Sequence, residues 1–266
     1  MQIRKNRFKQ QLQNGQKTFG IWNGIVDSYA AEICAGAGFD WVLIDGEHAP
    51  FDLRTIVHNM QAIQSYEVPA IVRIPSADPV LIKQLLDAGA QSILVPMIES
   101  AEQAELIAKA MVYPPEGIRG VGTALARAAQ WNRVNDYFKL ANQEMCCIGQ
   151  LESIKGVEAL DEILQVPGLD VVFLGPADLG ATMGYLGQPG HPEVVALVKE
   201  CIRKIVKSGK IAGFLTGSKE LIQAYTDEGA LMIGVGLDTI ILAKGTRALA
   251  EYYKPGLLEK KSNTKY

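Results

Sequence analysis

Asp45, Gly46, Glu47 and His48 follow the short apolar run Trp41–Ile44 without a break. A run of that length and composition reads as one strand buried on both faces, as strands of a parallel sheet are. Two carboxylates and an imidazole therefore stand where a hydrophobic strand reaches the surface. These residue types suit acid–base chemistry, because a carboxylate beside a histidine orients the ring and raises its basicity. Of the three histidines, His58 falls in mid-helix and His191 precedes Pro192, and both read as solvent-facing bystanders.

The elements that position this cluster repeat. A helix ending in Gly, followed within a few residues by an apolar strand, occurs at 35–45, 87–97, 166–175 and 227–236. Gly just past a helix end is the usual left-handed cap, and a repeated helix–Gly–strand unit implies parallel strands with helical crossovers. Eight strands are predicted, at 17–22, 40–45, 69–74, 92–97, 145–151, 170–175, 211–215 and 231–235. Helices are predicted at 26–36, 52–66, 78–87, 100–112, 153–164, 191–208, 218–228 and 238–253. Eight strands each followed by a helix is the arithmetic of an α/β (β/α)8 barrel. An open doubly wound sheet would carry a GxGxxG turn after its first strand, and WNGIVDS at 22–28 is not one. The whole chain, 1–266, reads as a single barrel domain. A short helix in the basic Met1–Gln16 segment closes one end, and an apolar-striped C-terminal helix around Ile240–Tyr253 suits packing on a neighbouring subunit. The polar tail from Lys254 to Tyr266 reads as frayed.

Composition excludes several classes. Net charge is −3 with both signs interspersed, which argues against a nucleic-acid footprint. No apolar run approaches the ~20 residues of a membrane span, and no secretory signal is evident at the N-terminus. The four cysteines (Cys34, Cys146, Cys147, Cys201) form no CxxC pair and read as buried reduced thiols of a cytoplasmic protein.

Barrels of this kind carry their chemistry at the C-terminal ends of the strands. Those ends hold Trp22 and Asn23, Asp45 to His48, Arg73, Pro96-Met97, Gln150 and Glu152, Gly175-Pro176-Ala177-Asp178, Leu215-Thr216-Gly217, and Gly234 to Gly236. Glu152 and Asp178 fall on adjacent strands, about 4.8 Å apart, where they can share a cation. Oxygen-only ligands favour Mg²⁺ or Mn²⁺. Taken singly, each acid reads equally as a helix cap or first-turn charge. Arg73 suits binding of a carboxylate or of a forming oxyanion, with an ion pair to a barrel acid as the alternative. No lysine occupies a strand end, which disfavours a Schiff base. The glycines ending the seventh and eighth strands could cradle a phosphate, which makes a sugar-phosphate isomerase a competitor. The long connection 113–136, rich in Arg and Gly, is placed on the C-terminal side of the barrel, among functional loops.

Seven segments in order, DGEHAPFD, VRIP, LLDAGAQSILVPMIES, PPEGIRGVG, ALARAAQWN, QLES and GPADLG, resemble the HpcH/HpaI family of metal-dependent (class II) pyruvate aldolases over about residues 18–252. The resemblance implies reversible cleavage of a 4-hydroxy-2-oxo acid, such as 4-hydroxy-2-oxoheptanedioate or a 2-keto-3-deoxy sugar acid, to pyruvate and an aldehyde. It implies a divalent metal (Mg²⁺, Mn²⁺ or Co²⁺) on Glu152 and Asp178, and no organic cofactor. It makes His48 the proton acceptor, Arg73 the transition-state cation, and Gln150 and the Ala177 backbone substrate contacts, with Gly175, Pro176 and Asp178 beside them. Asp87 is the aspartate that the resemblance assigns to His48, whereas the local sequence favours Asp45. A homo-oligomer, trimer or hexamer, is implied as well. The aldehyde half of the small-molecule substrate is expected to meet Trp22, Leu215 and the 113–136 loop, with Arg119 and Arg127 either binding a distal carboxylate or holding the loop by ion pairs. The competing readings are an acyl-CoA lyase of the citryl- or malyl-CoA type and a barrel that binds an oxo acid without turnover.

Overall fold

The computed structural model describes residues 1–256. Eight parallel strands close in sequence order into a barrel. They are β1 (Thr18–Asn23), β2 (Trp41–Asp45), β3 (Ala70–Arg73), β4 (Ser92–Val95), β5 (Cys146–Leu151), β6 (Val171–Leu174), β7 (Ile211–Leu215) and β8 (Met232–Leu237). The helices are α1 (Arg7–Gln13), α2 (Ser28–Ala35), α3 (Leu53–Gln64), α4 (Pro79–Ala88), α5 (Ala101–Met111), α6 (Tyr137–Leu140), α7 (Ile154–Glu158), α8 (Leu160–Ile163), α9 (Pro176–Thr182), α10 (Pro192–Lys207), α11 (Lys219–Thr226) and α12 (Asp238–Tyr253). Strand and helix starts lie close to their expected places because the sequence carries the stop and start signals. Asp52 and Thr55 form a reciprocal capping box on α3, and Ser100, Ser153 and Ser218 each cap a helix with the hydroxyl oxygen.

Burial divides into two layers. Apolar faces of the helices pack on the outside of the sheet, around Ile44, Val72, Ile93, Val172 and Ile233. A second set fills the barrel interior, including Trp22, Trp41, Leu43, Ile71, Leu94, Ile148, Phe173 and Met232, and Phe8 and Leu12 of α1 plug its N-terminal end. Trp41 is the hub of that interior. Its ring meets Phe8 edge-on at 6.1 Å and Trp22 at 5.8 Å, and its indole N–H donates to Thr18 Oγ1 at 3.1 Å. The register pairs Trp41 with Gly20, whose missing side chain makes room for the ring.

Four expectations change. The segment 153–164 is two short helices, broken at Ala159, rather than one. Residues 176–182 and 137–140 form helices that the apolar pattern did not show. The helix expected within Met1–Gln16 covers only Arg7–Gln13, and Ile3 ahead of it packs with Tyr113, Val134 and Tyr137. Most consequentially, the 113–136 connection lies at the N-terminal end of the barrel. Helix α5 runs antiparallel to the strands and returns the chain there before the connection begins. Arg127 donates to the Ala88 carbonyl at 2.9 Å, Ala128 N–H to that of Asp87 at 3.0 Å, and Asn135 N–H to that of Met1 at 3.1 Å. Each of these partners precedes a strand rather than following one.

All four cysteines are free and buried, and burial pushes the thiols of Cys34 and Cys201 up to about 11 and about 12. No described helix is long and apolar enough to cross a membrane. Helix α12 buries little, and Ile240, Ile241, Leu242, Leu249, Tyr252 and Tyr253 are exposed along it. Of the tail expected to fray, 257–266 lies outside the described residues.

The Gly20–Trp41 contact gives a stability test. A Cβ at Gly20 would stand 2.0 Å from Trp41 Cδ2, in a barrel interior with no slack. Gly20→Ala is expected to cost about 2 kcal/mol or more through overpacking, measured as a thermal midpoint lowered by several degrees. A midpoint within a degree of the parent would show that the ring has room to move.

Candidate active site

Asp45 and Arg73 are register partners at the C-terminal ends of β2 and β3. Arg73 donates from Nε to Asp45 Oδ1 at 2.8 Å and from Nη2 to Oδ2 at 2.5 Å, a buried bidentate pair. Asp45 Oδ1 also accepts the backbone N–H of Glu47 at 3.1 Å and of His48 at 3.3 Å. Burial pushes the Asp45 carboxyl up, but the hydrogen bonds and charge of Arg73 with those two amides outweigh it and hold the carboxyl below its ordinary range. The turn that carries Glu47 and His48 thus hangs from the same carboxylate that fixes Arg73. Gly46 is required within it, since its N–H reaches the Arg73 carbonyl at 2.8 Å and a Cβ would come within 2.7 Å of that oxygen.

The His48 side chain is 70% exposed at the barrel mouth. Glu47 is the acid beside it, with Oε2 at 3.8 Å from His48 Nε2 and 2.9 Å from Arg73 Nη1. The Glu47 oxygen is buried without an aligned hydrogen-bond partner. Burial is the main reason its carboxyl is raised above the ordinary range, despite the attraction of Arg73 and His48.

Across the mouth, Glu152 follows β5. Its Oε1 accepts the Met97 N–H at 2.9 Å, and its Oε2 accepts from Gln150 Nε2. Met97 offers that N–H from a left-handed conformation, φ 54°, which a non-glycine residue adopts only when its surroundings impose it. Gly175 ends β6 directly against this carboxylate, where a Cβ would lie 2.9 Å from Glu152 Cβ and Oε2. Asp178 then stands exposed in the first turn of α9, where acids are favoured. Among the described residues Glu152 has no cation as a hydrogen-bond or ion-pair partner. Burial raises its carboxyl to about 7, and the charges of Asp178 and Glu47 add to the rise.

Trp22 lies under the mouth as its floor, 2% exposed, with Arg73 above its ring at 5.7 Å. Leu215 reaches the same spot from β7, and the two side chains flank Gly234, where a Cβ would meet both within 2.9 Å. The buried Trp22 Nε1 and Gln150 Oε1 have no hydrogen-bond partner among the described residues. The structure therefore brings together His48, Arg73, Asp45, Gln150, Glu152, Gly175, Pro176, Ala177, Asp178, Trp22 and Leu215.

Asp87, Arg119 and Arg127 do not join them. Asp87 ends α4 at the opposite face, separated from the mouth by the length of the strands, roughly 15 Å. It pairs at 2.7 Å with Arg119, whose side chain is fully buried and lies over the Tyr113 ring at 4.4 Å. Arg119 is thus a loop anchor. The carboxylate of Asp45 meets the backbone and Arg73 rather than the imidazole, so in this chain Glu47 is the acid closest to His48. Met97 was not singled out from sequence as more than a strand end, because left-handed backbone at a non-glycine residue leaves no compositional mark.

The residues present fit a divalent cation. Two acids at adjacent strand ends, one buried and without a positive partner among the described residues, stand near the Glu47 carboxylate and the unpartnered Gln150 Oε1. Among the described residues no group of three or more His, Cys, Asp or Glu could hold an ion alone. Water and substrate oxygens would complete the shell, as is usual for Mg²⁺. A raised carboxyl favours the folded state fully below its unfolded value, near 4.3, and that stability is lost as pH climbs through about 7. A cation must displace the Glu152 proton below that value. Mg²⁺ or Mn²⁺ is therefore expected to raise the thermal midpoint more at pH 8 than at pH 5.5, and calorimetry in two buffers should show proton release at the lower pH. Glu152→Gln is expected to remove both effects, and equal stabilisation at the two pH values would show that Glu152 is not the ligand.

Comparison with known proteins gives the family and the fold. The family model "HpcH/HpaI aldolase/citrate lyase" matches residues 18–244. A 4-hydroxy-2-oxo-heptane-1,7-dioate aldolase of Klebsiella pneumoniae is 51% identical over 92% of each chain. A hydroxypyruvate/pyruvate aldolase of Pseudomonas aeruginosa is 48% identical over 96% of each. The crystal structure of an HpcH/HpaI aldolase/citrate lyase family protein from Burkholderia cenocepacia J2315 superposes with a TM-score of 0.89 at 34% identity, covering 94% of this chain and all of that one. With half its residues shared over nearly its full length, and a barrel of the same form, the chain belongs to the HpcH/HpaI aldolase/citrate lyase family.

Proposed function

We propose that this protein is a divalent-metal-dependent aldolase that reversibly cleaves a 4-hydroxy-2-oxo acid to pyruvate and an aldehyde. The observation that carries the reading is the opposition of two differently charged sides at one barrel mouth. Glu152 and Asp178 form an uncompensated anionic side, and Arg73, locked on Asp45, forms a cationic one beside His48. Glu152 and Asp178 would hold the cation, Mg²⁺, Mn²⁺ or Co²⁺. Bound there, it supplies Lewis-acid polarisation of the 2-oxo group and charge neutralisation.

The residues of this chain do the rest. His48 takes the proton of the C4 hydroxyl, through an intervening water, and its exposed ring at the mouth leaves room for that approach. The C4–O electrons form the aldehyde carbonyl as the C3–C4 bond breaks, and the bonding pair moves onto the pyruvyl half. Arg73 stabilises the charge developing on the 2-oxo oxygen. Its guanidinium carries five N–H groups and directs only part of that set at Asp45 and Glu47. Gln150 and the Ala177 amide, in the first turn of α9 where intrahelical acceptors are lacking, orient the oxo acid. Protonation of C3 then releases pyruvate. Trp22 and Leu215 offer an apolar wall to the aldehyde half.

The named relatives act on a seven-carbon diacid and on hydroxypyruvate or pyruvate, and a 4-hydroxy-2-oxo diacid is the substrate we propose. Arg119 and Arg127 of the same chain are on the wrong face to hold its distal carboxylate. A CoA tail would have leaned on the same loop, so the acyl-CoA reading loses its basic contacts. Asp87 can serve His48 only from a second copy. We place the exposed apolar face of α12 on a neighbouring subunit in a trimer or hexamer.

Pyruvate release from 4-hydroxy-2-oxoheptanedioate is expected to vanish with chelator and to return with Mg²⁺, Mn²⁺ or Co²⁺. His48→Ala is expected to lower kcat by roughly 10²–10⁴-fold while pyruvate binding persists. Release that is indifferent to chelator would overturn the metal role, and inactivation by borohydride with pyruvate would replace it with a lysine imine.

A further inference from the structure

The N-terminal end of the barrel carries a second built feature that the aldol chemistry does not use. A cavity of about 560 Å³ opens between the N-terminal segment, the end of α3 and the start of β4, and Arg4 and Arg127 both line it. An adjoining cavity of about 300 Å³ shares Arg4, Gln64, Gly89, Gln91 and Arg127. Together they have the size of small-molecule sites.

The charges on its wall are unevenly compensated. Lys5 pairs with Glu144 at 2.7 Å and Arg7 with Glu67 at 3.0 Å. Among the described residues neither Arg4 nor Arg127 has a carboxylate within ion-pair distance. Arg127 instead donates to two neutral acceptors, the Ala88 carbonyl and Gln64 Oε1. Burial lowers its pKa, and the like charge of Arg4 lowers it further; Arg4 is itself lowered by burial and by Arg7, with Glu67 acting against them. The backbone fixes both. Gln91 Nε2 donates to the Arg4 carbonyl at 2.7 Å, and Asn6, buried beside it, ties the segment to Ser92 and to the Glu144 carbonyl. Gly89 is left-handed at φ 114°, and a Cβ there would lie 2.7 Å from Arg127 Nη1, so the glycine admits the guanidinium to the cavity wall.

Four cationic side chains, Arg4, Lys5, Arg7 and Arg127, line the volume against the single carboxylate of Glu67, which already pairs with Arg7, so an anion that bridges Arg4 and Arg127 is stabilised there. We propose that this cavity binds a small molecule bearing two anionic oxygen groups, carboxylate or phosphate, between Arg4 and Arg127. The ligand would cross-brace the N-terminal segment and the 113–136 loop at the face opposite the aldol site. Guanidinium groups suit both oxyanions through paired N–H···O contacts.

Isothermal titration of the full-length protein separates the two sources. One arm uses succinate and citrate, the other inorganic phosphate and glycerol phosphate, with acetate as the monoanion control. Each is titrated into the parent and into Glu152→Gln, which lacks the metal carboxylate and so removes metal-assisted binding at the aldol site. The expected result is one site per chain for at least one arm, tighter than acetate and unchanged in Glu152→Gln. Arg127→Gln or Arg4→Gln is expected to weaken it about tenfold or more, and the double variant to reduce it to the acetate level. The arm that binds names the ligand class. Arg4 is exposed, so Arg4→Gln reports even where Arg127→Gln fails to fold. Binding no tighter than acetate in both arms, loss in Glu152→Gln, or indifference to Arg4→Gln would overturn the proposal.

Discussion

The Asp45–Arg73 ion pair is the interaction on which the rest of the mouth depends. It joins two adjacent strand ends at a fixed register, and it is buried and bidentate. Its Oδ1, which accepts Arg73 Nε, also accepts the amides of Glu47 and His48. One side chain therefore sets the direction of the cation and the path of the turn that presents the imidazole. A pair of this kind gives little net stability, because desolvating both charges offsets their attraction. Its value lies in geometry: Arg73 has one available position, above Trp22 and toward the opening.

Opposite that pair, charge is left unbalanced. Glu152 receives hydrogen bonds from Met97 and Gln150, yet burial, with the charges of Asp178 and Glu47 added to it, raises its carboxyl to about 7. Such tension is expensive to maintain in a fold whose net stability is small. It is accommodated by local devices: a glycine at 175 that yields space to the carboxylate, and a left-handed Met97 that aims an amide at it. Strain and an uncompensated charge at one place are what a cation site requires before the cation arrives.

The two ends of the barrel divide the labour. The C-terminal end holds acids and a histidine on short turns, close to the strands that fix them. The N-terminal end is closed by α1 and by the long 113–136 connection, which Arg119 pins through Asp87 and the ring of Tyr113. Fully burying Arg119 is tolerable because Asp87, the hydroxyl of Tyr137 and an aromatic face meet it. The basic character of this connection thus serves the far end, not the mouth.

The sequence by itself determined the barrel. Apolar runs of strand length, glycine after helix ends and serine or aspartate before helix starts are local signals, and eight such runs alternating with helices leave few topologies. It also fixed which side chains end the strands, hence His48, Arg73, Glu152 and Asp178, because in parallel strands the polar residue that closes an apolar run stands at the same end every time. Three things belonged to the tertiary structure alone. Which acid meets which base was decided by strand register, so Asp45 went to Arg73 and Glu47 to the side of His48. The face occupied by 113–136 followed from the direction of α5, which brings the chain back to the N-terminal end before the connection begins. The titration of Glu152 came from burial and from carboxylates distant in sequence. Local pattern records the conformation of a segment; pairing, facing and desolvation arise only when segments far apart in the chain share one volume.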